Sequence, residues 1–354
     1  MTVTLGQPLA PDAELFAALT QGIWERARWS NGGPLVTELE GRLARTEGWR
    51  HTVATASGTS ALTTALLALG LPRGGEVITS ALTFRATPLA IEAAGLTPVF
   101  AASNPDTLTL DPDAVEQAIG PQTVAILPVH LFGVAADPAL DALGETHALP
   151  VVYDAAHAYG FADIVGRGVA TAYSLHATKL LHTGEGGFVA TDDEQLDQCL
   201  RYAVNFGIDR AHDVHAGING KMSEVAAAVG LATFPQVAAE VSARTALRAE
   251  YTAAAEQSSR VRPHAPAHSR ALVMEVVRCD PADQSRIIGE LAARDIIARG
   301  FPALCGDRER YADQPVVGST ARDADLLSRS AIALPFHGRV QLAHIDSIAE
   351  VFSS

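Results

Sequence analysis

Cysteine is scarce in this chain. Cys199, Cys279 and Cys305 are spread over 354 positions, and none stands in a CxxC pair. That spacing disfavours both a disulfide framework and a cysteine-held zinc site, and it fits a reducing cytoplasm. Basic residues are scarce too: 26 Lys and Arg against 40 Asp and Glu leave a formal charge of −14. The deficit argues against sequence-independent nucleic-acid binding and against an anionic membrane surface. An anionic small substrate stays open, because a pocket can be locally basic inside an acidic protein. No uninterrupted apolar run reaches about 18 residues, so no transmembrane helix is expected. The N-terminal MTVTLGQPLAPDAELF lacks the basic and apolar regions of a signal peptide. No low-complexity tract and no fixed-period repeat is present. Three motifs are also missing. No GxGxxG follows a strand, since Gly166-Arg167-Gly168 lacks the third glycine, and neither GxxxxGK[ST] nor HExxH occurs. A dinucleotide fold, a P-loop and a zinc protease are all disfavoured.

What is present is a regular alternation. The length predicts two domains. Leu35, Leu39 and Leu43 form a helical stripe within 35–48, and HTVATA (51–56) reads as a short buried strand. Strands follow at 74–81, 97–102, 123–133, 150–160, 171–179 and 186–193, with helices at 86–95, 111–120 and 137–148 between them. Such alternation predicts an α/β domain whose mostly parallel sheet is covered by helices on both faces. From about 240 the texture changes: a long helix (240–257), a strand (271–279), a helix (282–295) and a closing helix. We therefore expect a large domain over 1–240 with an N-terminal arm, and a smaller C-terminal α/β domain over 241–354.

Ligands in such sheets sit beyond the carboxyl ends of the strands. Ser57-Gly58-Thr59-Ser60 lies at a strand-to-helix turn, where backbone N–H groups and hydroxyls can cradle an anion; an ordinary helix cap is the alternative. Asp154 ends the apolar strand PVVYD, either as a loop carboxylate or as the counter-charge of a protonated cofactor nitrogen. Lys179 stands between an apolar strand and a Gly-rich turn, either snorkelling to water or serving as a Schiff-base lysine. Phe84 reads as a core aromatic or as a ring stacked on a planar cofactor. Taken together, an anion cradle, an aromatic, an acid and a lysine match pyridoxal 5′-phosphate (PLP), a phosphorylated planar aldehyde with a ring nitrogen.

The segments ASGTSAL (56–62), GGEVITSALTFRAT (74–87), ILPVHLFG (126–133), VVYDAAHAYG (151–160), YSLHATKLLHTGEGGFVATDD (173–193) and GINGKMSEVAAAVGL (217–231) resemble the DegT/StrS family of PLP-dependent sugar aminotransferases. The resemblance implies the fold type I aminotransferase architecture. It implies that Lys179 bonds to PLP, that Asp154 pairs with the ring nitrogen, and that His157 lies near the phenolic oxygen. By the same likeness Phe84 stacks on the ring, and Gly58, Thr59 and Ser174 bind the phosphate. Asn219 then reaches the phosphate of a neighbouring subunit, which implies a homodimer with shared active sites. The family's deoxygenating branch replaces the lysine with histidine, so Lys179 points to transamination. The implied reaction passes an amino group from glutamate or glutamine to a keto sugar nucleotide, with the branch that aminates C4 of dTDP-4-keto-6-deoxysugars the nearest in pattern. Substrate-side candidates are Arg85, Arg299 and His337. Arg85 stands where relatives mostly carry an apolar residue, and Cys305 where they carry a histidine. These departures keep open a PLP enzyme acting on a non-sugar substrate and, further off, a PLP-binding sensor without activity.

Overall fold

Several helices begin by one device: a serine or aspartate side chain takes a backbone N–H of the first turn. Ser57 caps α3 (Gly58–Ala68), Asp111 caps α5 (Pro112–Ala118) and Asp193 caps α7 (Glu194–Ala203). Each follows or precedes an apolar strand, so the caps fix where the chain turns from sheet to helix. The structure is a computed structural model that describes residues 2–208, 216–265, 272–301, 310–311 and 314–353. Before the sheet come α1 (Ala13–Arg26) and α2 (Pro34–Glu47). The remaining helices of the large domain are α4 (Ala86–Ala93) and α6 (Ala139–His147).

The strands of the large domain are β1 (His51–Thr55), β2 (Glu76–Ser80), β3 (Thr97–Ala101), β4 (Thr123–Leu127), β5 (Val152–Asp154), β6 (Ala170–Ser174) and β7 (Gly187–Thr191). One half of the sheet has the order β1-β7-β6-β5. Bridges Ile126–Val151 and Val129–Asp154 join it to the other half, where β4, β2 and β3 pair in parallel. Only β7 runs against its neighbours β1 and β6. The sheet is thus mostly parallel, as the alternation requires. Strand β4 ends at Leu127, short of the 133 expected, because Pro128 has no N–H to continue the ladder.

A long helix, α8 (Glu224–Glu256), leads out of this domain. It begins sixteen residues before the 240 read from sequence, where Ser223 caps it, and it tolerates Pro235 inside. By length and hydropathy it resembles a membrane span. It packs on α1 and α2. It carries Arg244 and Arg248, both 1% exposed, in ion pairs with Glu240 (2.6 Å) and Glu275 (2.5 Å). Beyond it, β8 (Val261–Pro263), β9 (Glu275–Cys279), β10 (Arg299–Gly300) and β12 (Ala331–Leu334) form an antiparallel sheet in the order β10-β12-β9-β8. Helices α9 (Gln284–Ala292), α10 (Ala321–Arg329) and α11 (Leu342–Ser353) complete the smaller domain. Strand β11 (Val316–Val317) leaves it and pairs in parallel with β3, extending the large sheet.

Candidate active site

Asp154 ends β5 and is 5% exposed. Its Oδ1 accepts the Ala156 N–H at 3.0 Å and its Oδ2 accepts the Thr87 hydroxyl at 2.9 Å. The Thr87 oxygen lies 2.8 Å from that of Thr83, so a short hydroxyl chain supports the carboxylate. Burial pushes the Asp154 pKa up, and the Ala156 N–H, the Thr87 hydroxyl and the Lys179 charge pull it back. Lys179 sits in the loop after β6, where its N–H bonds to the His176 carbonyl at 2.8 Å. Burial pushes its amine down to about 8, against the pull of Asp154. Near neutral pH a useful fraction of this lysine is therefore a free nucleophile.

His157 follows Asp154 by one short turn. Its ring faces Phe132, with centroids 6.1 Å apart and planes 24° from parallel. Burial, with the nearby Lys179 charge, holds the imidazole well below its usual range, so it is neutral. Its Nδ1 is buried without a partner among the described residues, which leaves it available to a ligand atom. Phe132 itself stands at φ 51° in a tight turn closed by mutual Leu131–Val134 bonds. It also meets Phe301 of the smaller domain at 4.1 Å between centroids.

The anion cradle is built at the start of α3. Ser57 Oγ takes the Ser60 N–H at 3.0 Å, while Gly58 and Thr59, as the first helical residues, have no partner one turn back. A Cβ on Gly58 would lie 2.9 Å from the Ser174 Cβ and 3.2 Å from its Oγ, so only glycine lets the serine hydroxyl come over the helix end. Gly187, from the GEGG motif, has the same need: its Cβ would lie 2.6 Å from the Ser57 carbonyl oxygen. Amides, hydroxyl and helix dipole meet at this helix end, an arrangement suited to a phosphate. With an amine, a buried carboxylate and an orphan imidazole nitrogen beside it, this set fits PLP.

The other sequence candidates fall at different places. Phe84 is 70% exposed, and Arg85 is exposed beside it at the start of α4. Asn219 is exposed, and its Oδ1 accepts the Lys221 ammonium at 2.7 Å. Its neighbour Gly220 accepts the Ala56 N–H at 2.7 Å, so this segment lies against the end of β1. Arg299 is exposed on the edge strand β10. His337 is 3% exposed with both nitrogens engaged: Nε2 with the Thr4 carbonyl at 3.1 Å, Nδ1 with the Arg339 N–H at 3.3 Å. It holds the N-terminal arm, and no ring nitrogen is left for an acceptor. Cys305 lies outside the described residues. Thr87 and Phe132 escape the sequence reading, although Thr87 stands three residues after Phe84 in a quoted segment.

A family model described as the DegT/DnrJ/EryC1/StrS aminotransferase family matches residues 12–353. Over 231 residues the chain is 39% identical to a dTDP-4-amino-4,6-dideoxy-D-glucose transaminase of Shigella dysenteriae, covering 64% of this chain and 62% of that protein. Over 233 residues it is 35% identical to a UDP-2-acetamido-2-deoxy-3-oxo-D-glucuronate aminotransferase of Pseudomonas aeruginosa, covering 64% and 65%. These matches thus span somewhat less than two thirds of the curated relatives. The crystal structure of DesI with its TDP-sugar product superposes with a TM-score of 0.90 at 33% identity, covering 99% of this chain and 92% of that one. With a family model matched over nearly its whole length, the chain belongs to the DegT/DnrJ/EryC1/StrS family of PLP-dependent aminotransferases.

Proposed function

We propose that the protein transfers an amino group from glutamate or glutamine to a keto sugar nucleotide, with a 4-keto-6-deoxyhexose as acceptor, in amino-sugar biosynthesis in the cytoplasm. The observation that carries this reading is the buried Asp154 with half-buried Lys179 and His157, on a chain that also carries the Gly58–Ser174 cradle and whose relatives include a dTDP-sugar transaminase. When bound, PLP supplies an electron sink and a carrier for the amino group. Lys179 Nζ is the covalent anchor and, once released, the base that takes the α proton of the donor. Asp154 holds a proton on the ring nitrogen, and neutral His157 presents Nδ1 to the cofactor's polar edge. Gly58, Thr59 and Ser174 hold the phosphate. Phe84 covers one ring face, which gives its exposed side chain a partner. Arg85 and Arg299 are the cations offered to the acceptor's anionic part.

A second copy completes the site in this reading, with Asn219 reaching the partner's phosphate. Trp24 (66% exposed), Trp29 (42%) and Phe206 (50%) support it, since so much exposed aromatic surface fits an interface between copies. The test starts with the absorbance of the purified protein. A band near ~420 nm that gives way to one near ~330 nm on adding glutamate is expected of a lysine-linked cofactor that accepts an amine. Keto sugar nucleotides should then reverse the change. A chain that is reversed by non-sugar ketones and ignores keto sugars would move the assignment to the non-sugar alternative.

A further inference from the structure

Glu47 is a buried acid that the chemistry above does not use. It is the last residue of α2 and is 6% exposed. Its Oε2 accepts the Gly160 N–H at 2.9 Å, across 113 positions of sequence. Its Oε1 and the Tyr159 hydroxyl are buried without hydrogen-bond partners among the described residues. Next to them Trp49 Nε1 donates to the Tyr173 hydroxyl at 3.1 Å, and the Tyr173 ring is stacked on Phe188 at 4.4 Å. The ionisable groups that feel the Glu47 charge are these two phenols, both of whose pKa values it helps to raise. No charged side chain shifts Glu47 itself: burial pushes its carboxyl up to about 7, and the Gly160 N–H alone pulls it down.

A buried acid without a counter-charge is a costly choice where an apolar side chain would fill the space. What it touches explains the choice. The segment 154–160 begins at Asp154 and carries His157. Its start is fixed by Asp154 N–H to Pro128 (2.9 Å) and Ala155 N–H to Ala172 (2.8 Å). At its far end Gly160 stands at φ 82°, and its N–H is held by Glu47. We propose that Glu47 is a positioning residue for the cofactor: its carboxyl anchors the Gly160 end of this segment and thereby sets where Asp154 and His157 stand relative to Lys179. The proposal rests on the placement of Asp154 and His157 at the PLP site.

The test titrates PLP into cofactor-free full-length protein, following absorbance, and measures hydrogen exchange of residues 154–160 in the same samples. Glu47→Leu is expected to raise the PLP Kd about tenfold, or about 1.4 kcal/mol, and to speed exchange in the segment. Glu47→Gln keeps an oxygen for the Gly160 N–H and is expected to return both readings to within about threefold of wild type, the scale of a modest hydrogen-bond change. Wild-type Kd and exchange in Glu47→Leu overturn the proposal, as does a Gln variant as impaired as Leu. If Glu47→Leu does not fold, Glu47→Asp keeps the charge and withdraws the oxygen by one methylene; wild-type behaviour in that variant also overturns it. A wild-type protein that cannot take up PLP removes the site assignment itself, an outcome distinct from variants that bind as wild type does.

Discussion

At the scale of single residues the site works by partial desolvation. Lys179 is held at about 8, because burial opposes its charge more than Asp154 supports it. Below that value the amine is protonated and cannot attack an aldehyde; above it the lone pair is free. The rate at which cofactor-free protein captures PLP should therefore rise as pH passes from 6 to 9 and level off above, with its midpoint near 8. Stopped-flow absorbance across that range checks it, and a midpoint near the ordinary lysine value would mean that the amine is solvated. Thr87 gives a second prediction. Its hydroxyl is one of two short donors to Asp154 and lowers the carboxylate's pKa. Thr87→Val keeps the shape and removes the donor, so Asp154 should hold its proton to higher pH. The acid limb of the kcat profile is expected to move upward, with about a tenfold loss of activity, from the roughly 1–3 kcal/mol of an unmet buried acceptor. An unmoved limb would show that the hydroxyl chain does not reach the carboxylate's chemistry.

Among the helices and strands, some of the site was readable in the sequence and some was not, and the difference is one of distance. The Ser57 cap, the strand ending in Asp154 and the lysine loop are local: a β-branched run, a Gly turn and an apolar helix declare themselves within about ten residues. Thr87 and Asp154 lie 67 positions apart, and Glu47 and Gly160 113, so no periodicity could join them. Glu224 is the clearest case. It reads as the first acidic residue of α8, yet it is fully buried and accepts the N–H groups of Leu35 (3.0 Å) and Val36 (2.9 Å). It thus caps α2, whose own cap residue, Gly33, has no side chain to do so. Gly33 is needed there, since a Cβ would lie 2.4 Å from the Glu224 carboxyl carbon. Glu224→Ala should destabilise the fold by about 3 kcal/mol, from two charge-assisted bonds at a helix N-terminus. Glu224→Gln, with one oxygen for two donors, should lose roughly half of that. Urea unfolding monitored by circular dichroism measures both, and equal stability of Ala and wild type would deny the cap.

For the whole molecule, the chain binds its two domains to each other twice. Val3 bridges Ile296 and the Leu5 carbonyl accepts the Phe336 N–H at 2.8 Å, so the N-terminal arm belongs to the small domain's surface. In the other direction β11 adds to the large sheet beside β3. The single chain leaves Phe84 and Asn219 facing solvent. If a second copy supplies Asn219, each site of a two-fold dimer draws its lysine from one chain and its asparagine from the other. That division can be tested by mixing. Lys179→Ala protein alone should be inactive, and Asn219→Ala protein alone strongly impaired. After equal amounts are unfolded and refolded together, half of the dimers are mixed. Each mixed dimer holds one site with both defects and one with neither, so activity should recover to about a quarter of wild type. Recovery at that level requires the two residues to act across the interface. If both residues served a site within one chain, mixing could give no more than the average of the separate variants, and the shared-site dimer would fall.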